Sequence, residues 1–142
     1  MATLRASKAS ALACAAAAAG TRFDALLLHE VLPHVAPVDV DASIAELLKQ
    51  GFFVQVSLSE PALFGFRHAL IRETIYKAML RAERQSIHGN IYSAVRNRRT
   101  PAPWIGIAAL AEHAESAGLI AEAIDCLLEA GQENAARSAV TE

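Results

Sequence analysis

The sequence predicts a mainly α chain that carries one short β-hairpin, and three observations predict it. Stretches with apolar residues at helical spacing dominate the 142 residues, much of their apolar content being alanine. A single segment, "FFVQVSLSEPALFGF", changes to a two-residue alternation interrupted by a proline turn. Glycine or proline stands where most of the periodic stretches stop. At this length the chain suits one domain or two small ones, with enough residues to bury a core.

The first element needs a choice. In "LRASKASALACAAAAAG" the cations Arg5 and Lys8 precede an apolar run, an order that an export signal also shows. The run is alanine rather than leucine, however, and it continues through Gly20 into "RFDALLLHEVL". The reading adopted is a core helix over about residues 4–18, ended by Gly20. Phe23, Leu26, Leu27 and Val31 then make the stripe of a second helix over about residues 22–32. Pro33 and Pro37 punctuate a connector, and "DASIAELLKQG" supplies a third helix, with Asp41 as its N-cap and Gly51 at its end. Its inner face is Ile44, Leu47 and Leu48.

Val54, Val56 and Leu58 alternate with Gln55 and Ser57, which predicts a half-buried strand; Ser59-Glu60-Pro61 turns the chain into a second strand ending near Phe66. Three helices followed by a hairpin is the layout of a winged helix. Leu70, Ile71, Thr74, Ile75, Ala78 and Met79 predict the next helix, with Glu73 and Lys77 as an outer i,i+4 pair. Another runs over about residues 83–98 on the apolar line Ile87, Ile91 and Val95, with Tyr92 beside it. "NRRTPAP" breaks the pattern.

Two amphipathic helices joined at Gly118 follow, and their small-residue spacing matches a tetratricopeptide repeat in part. Aligning Ala123, Leu127 and Ala130 with the repeat's second helix puts Ile107, Leu110 and Ala111 at the buried positions of its first. Ala114 falls where that repeat prefers tyrosine. The expected organisation is a winged-helix-like module over residues 1–98, a linker over 99–104, and a tetratricopeptide-like helical hairpin over 105–142.

Charge and motifs restrict the chemistry. A formal net charge of −2 supplies no general field for phosphate backbones, and a basic helix end such as "RNRRTPAP" is ordinary. Cys14 and Cys126 lie far apart and read as small buried residues of a reducing, cytoplasmic compartment. No window makes a convincing membrane span. "HEVLPH" separates His29 from His34 by five positions, which turns the second about 140° from the first on an ideal helix, against a shared metal. No Walker A sequence, nucleophile elbow or supported carboxylate pair occurs. The chain reads as no enzyme by itself.

One group of residues carries a family resemblance. Phe66-Arg67-His68-Ala69-Leu70-Ile71-Arg72-Glu73, followed by Tyr76, Leu80, Arg84 and His88, resembles the region after the nucleotide-binding core of STAND-type signalling ATPases. "ALACAAAAAGTRFDALLL", "LLKQGFF" and "AEHAESAGLIAEAIDCLLEAG" resemble that family's alanine-rich helix, its entry to the wing and its first helical repeat. Bacterial members are often fused to adenylate cyclase, kinase or LuxR-type DNA-binding domains. In plant and animal relatives this helix start carries a Met-His-Asp triplet whose histidine contacts the β-phosphate of ADP. Arg67-His68-Ala69 aligns with it, which implies that His68, helped by Arg67, senses nucleotide held elsewhere.

An imidazole can donate to a phosphate oxygen, and a helix start adds unpaired N–H groups. The alternative for His68 is a capping or packing role. Arg72 and Glu73 read as a solvated face, Arg84 and His88 as a bridge between helices, and Tyr76 as core with its hydroxyl at the edge. The resemblance implies a regulatory and coupling fragment, with ATP or ADP and Mg in a missing ATPase core. Further repeats and a protein or small-molecule inducer are its implied partners. Two other readings compete: a free-standing winged-helix DNA-binding regulator, disfavoured by the single Lys49 against Asp41 and Glu46 on its third helix, and a small repeat-type adaptor.

Overall fold

The computed structural model describes residues 2–58, 62–97 and 104–141, so the expected turn at Ser59-Glu60-Pro61 and nearly all of the expected linker lie outside the described residues. In chain order the elements are α1 (Ala2–Ala19), α2 (Ala25–Val31), α3 (Pro37–Lys49), β1 (Phe53–Ser57), β2 (Leu63–Phe66), α4 (Ala69–Ala78), α5 (Arg81–Asn97), α6 (Ile107–Ser116) and α7 (Ile120–Thr141). The chain is mainly α with one antiparallel two-stranded hairpin.

α1 is the hub of the first core. Leu12 and the run Ala15 to Ala19 are buried, and helices α2, α3, α4 and α5 all pack against it. A methyl side chain lets neighbouring axes come close, which is how an alanine face seats several partners. The segment between α1 and α2 then joins the sheet: Phe23 exchanges both backbone hydrogen bonds with Phe64, at 3.0 and 2.8 Å. Asp24, buried beside it, caps α2 by accepting from the Leu27 N–H at 2.8 Å.

Four phenylalanines close this end of the core. The ring of Phe23 lies 5.0 Å from Phe53, 6.4 Å from Phe64 and 6.3 Å from Phe66, and Phe53 meets Phe66 edge-on at 5.0 Å. Phe66 therefore serves the core. Gly65 beside it allows the close approach of β2 to Thr21: a Cβ there would stand 2.7 Å from the Thr21 carbonyl oxygen. Gly65→Ala is expected to destabilise the chain by about 1–3 kcal/mol, because the obstacle is backbone and cannot swing away. A urea midpoint unchanged from wild type would contradict that close approach.

Several expectations are corrected. α3 begins at Pro37 with Ala36 as N-cap, since proline is preset for the first helical position; Asp41 lies within the helix and bonds His29 Nε2 at 2.8 Å. The strand phase also differs. Phe53 faces inward, Val56 is exposed where the pairing slips between Gln55 and Ser57, and Leu58 stands in solvent beyond β1. Cys14 is half-buried rather than buried. Glu73 and Lys77 are both exposed and form no ion pair.

The C-terminal hairpin packs on α5 through a second small core of Leu110, Ala111 and Cys126, closed by Tyr92, Val95 and Ile107. Gly118 makes its turn with φ +82°, and the Leu119 N–H returns to the Ala114 carbonyl at 2.8 Å. Ala123 is buried as expected, but Leu127 is 57% exposed and Cys126 takes the inward position. Arg96 of α5 ties the hairpin down by donating to both carboxylate oxygens of Glu129, at 3.1 and 3.3 Å. No helix among the described residues is long and apolar enough to cross a membrane.

Candidate functional site

The residues singled out in "FRHALIRETIY" separate into three groups. Phe66 is in the aromatic core. Arg67 and His68 are exposed at the start of α4, where His68 is the N-cap by backbone position but its side chain makes no capping bond. Among the described residues its imidazole has no hydrogen-bond partner. Phe52 and Leu70, 43% and 72% exposed, flank this corner, Phe52 through its carbonyl, which accepts from the Arg67 N–H at 2.9 Å.

One turn further along α4 the chain turns inward. Arg72 is no solvated cation: it is half-buried, and its Nε donates to the Ala17 carbonyl at 3.0 Å. That carbonyl is among the last four of α1, which have no partner within the helix. Tyr76, expected in the core with its hydroxyl at the edge, is instead half-buried, its hydroxyl turned to His88 Nε2 at 2.9 Å, and Arg84 lies 5.3 Å over its ring. His88 does bridge helices, because its Nδ1 meets His113 Nδ1 at 2.8 Å. A continuous chain thus runs from α4 through α5 to α6.

Two facing Nδ1 atoms make a hydrogen bond only if one carries a proton and the other does not. With Tyr76 donating to His88 Nε2, the His88 Nδ1–H donates to His113 Nδ1, and His113 keeps its proton on Nε2. Both rings are neutral in this arrangement. Burial holds the His113 pKa down at about 4, with His88 and Arg72 adding to the effect. Burial also lowers that of His88, followed by the charges of Arg72 and Arg84. A positive charge on either ring would meet nearby guanidiniums, and among the described residues no carboxylate lies within ion-pair distance of either ring.

Beside this chain lies a cleft of about 580 Å³ where the end of α1, α4, α5 and α6 meet, lined by Arg22, Arg72, Tyr76, His88, Trp104, Glu112 and His113 among others. His113 was not among the residues singled out from sequence. Its signal was a histidine on the apolar face of α6, in register with Leu110, Ala111 and Ala114. Among the described residues, no group of three or more His, Cys, Asp or Glu side chains is placed to hold a metal ion.

Comparison with known proteins gives one informative likeness. The chain is 42% identical over 131 residues to an uncharacterized protein of Rhizobium meliloti (strain 1021), a stretch that is 92% of this chain and 13% of that protein. This chain thus spans about an eighth of the length of the relative it matches. No family model matches the sequence, and no solved structure matches it.

Proposed function

We propose that this chain is a regulatory and coupling segment of a larger signalling ATPase, a winged-helix-like module locked to the first hairpin of a helical repeat array. The observation that carries this reading is the Tyr76–His88–His113 chain, half-buried at Tyr76 and buried at the two histidines, which fastens α4, the helix that begins at His68, to α6 of the hairpin. A displacement at the start of α4 is transmitted through packed helices and directed hydrogen bonds rather than absorbed by a loose joint.

Two surfaces support the same reading. At the α4 corner, His68 and Arg67 stand exposed between Phe52 and Leu70, an arrangement suited to a nucleotide-holding core that brings a phosphate to the imidazole. On α7, Ile120, Ile124, Leu127 and Leu128 are between 51% and 61% exposed and repeat at helical spacing, as a helix does when another repeat covers it. The length of the Rhizobium relative supplies room for both. In this reading the compartment is cytoplasmic, and ATP or ADP and Mg belong to the core.

The reading expects the purified 142-residue chain to show no ATP turnover. Turnover from a homogeneous sample, lost on substituting a residue of this chain, would overturn it. Nanomolar sequence-selective DNA binding at physiological salt would favour the regulator reading instead.

A further inference from the structure

We infer that the cleft between α1, α4, α5 and α6 is a binding site for a small organic oxyanion with a planar apolar body. The inference does not depend on the ATPase reading, because neither His68 nor Arg67 lines the cleft. The first ground is the state of Arg72. Its Nε is committed to the Ala17 carbonyl, which fixes the guanidinium plane at the cleft wall. Among the described residues nothing accepts from its two Nη groups, although the side chain is half-buried. A guanidinium held by its Nε, with both Nη groups left over, presents a preset fork to a carboxylate or phosphate.

The second ground is the charge balance around it. Arg22, also in the lining, has no anionic partner among the described residues. Glu112 is the acidic residue of the lining, and it lies beyond salt-bridge distance of both arginines. The histidine pair contributes no charge. In the arrangement derived above it leaves the His113 Nε2–H as a further donor, with no protein acceptor among the described residues. The charged side chains of the lining are thus two arginines against one glutamate, partly withdrawn from solvent, where a charge-assisted bond is strongest.

The third ground is shape. Trp104 and Ile105 line the cleft, together with the small side chains Ala18, Ala19 and Ala109. Its volume of about 580 Å³ falls within the range of small-ligand sites. An aromatic or similarly flat body lies against the indole while its oxyanion reaches Arg72 and Arg22. Because the lining comes from both the module and the hairpin, such a ligand also bridges them.

Trp104 is the sole tryptophan of the chain, so its fluorescence reports the site directly. The 142-residue chain is titrated at pH 7 and low salt with phenyl phosphate, benzoate and inorganic phosphate. A saturable change is expected with phenyl phosphate or benzoate, at least about tenfold tighter than with inorganic phosphate, and the tighter of the two separates a phosphate from a carboxylate ligand. Arg22→Gln, at an exposed position, should weaken it about tenfold with the melting temperature unchanged. Ala109→Leu should weaken it by filling the cleft, without removing any hydrogen bond. Arg72→Gln should abolish it, but also uncaps α1, so the first two variants decide. Absence of a saturable change with both organic probes, equal binding of inorganic phosphate, or titrations unaltered in Arg22→Gln and Ala109→Leu would each overturn the inference.

Discussion

Phe23→Ala is expected to destabilise the chain by about 3–5 kcal/mol, a large part of the 5–15 kcal/mol that holds a typical domain together. Phe23 is fully buried and its ring meets Phe53, Phe64 and Phe66. Its backbone also bonds Phe64 on both sides of the pairing. Truncation removes the apolar area, the edge-on ring contacts and the wedge that holds the hairpin against α1 and α2. Surrounding rings cannot collapse into the space, because Phe64 and Phe66 are held in β2. Urea unfolding measures the loss, with Leu58→Ala as the control: Leu58 is 93% exposed, and its removal should cost no more than about 0.5 kcal/mol. Equal effects at the two positions would show that the four rings do not form the core.

The second large effect is acid lability from the histidine pair. In the unfolded chain a histidine takes up a proton near pH 6.5, whereas folded His113 resists until about pH 4. Between these values the unfolded state binds more protons, so stability is fully present above about pH 6.5 and is lost as pH falls toward 4. For His113, buried at 8% exposure, the loss is on the order of 2–3 kcal/mol, and His88 adds to it in the same direction. Carboxylates titrate in this range too, so the comparison is with His113→Asn, whose amide occupies the place of Nδ1 and keeps a partner for His88. Urea midpoints at pH 7.0, 5.5 and 4.5 should converge for wild type and variant as the pH falls. Parallel curves would contradict a neutral buried pair.

Where the sequence was read correctly, a local rule decided the outcome. The helix ends at Gly20, Gly51 and Gly118 all have positive φ, because a chain leaving a helix in that region calls for a residue without Cβ. The hairpin location followed from alternation. The errors came from rules in competition: Asp41 looked like a cap, but Pro37 set the helix start one turn earlier, and Val54 and Val56 looked inward until Phe53 and a slipped register reversed the phase. Arg72 was misjudged because its partner, the Ala17 carbonyl, lies 55 positions away. No periodicity reveals that contact. His88 was readable as a bridge between helices, but its partner His113 was hidden for the same reason, being only a polar group on an apolar face until α5 and α6 pack together.

In the proposed regulatory segment, His68 is the side chain that meets the nucleotide. Its side chain neither caps α4 nor packs in the core, so removing it should leave the melting temperature of the 142-residue chain unchanged. Under the proposed function, the central measurement is ADP release from the larger ATPase with and without His68→Ala, paired with the melting temperature of the chain alone. The account predicts loss of a charge-assisted hydrogen bond worth about 1.5–3 kcal/mol, hence ADP held roughly tenfold to a hundredfold more weakly, with the melting temperature unmoved. Unchanged ADP release in the His68→Ala protein would contradict it.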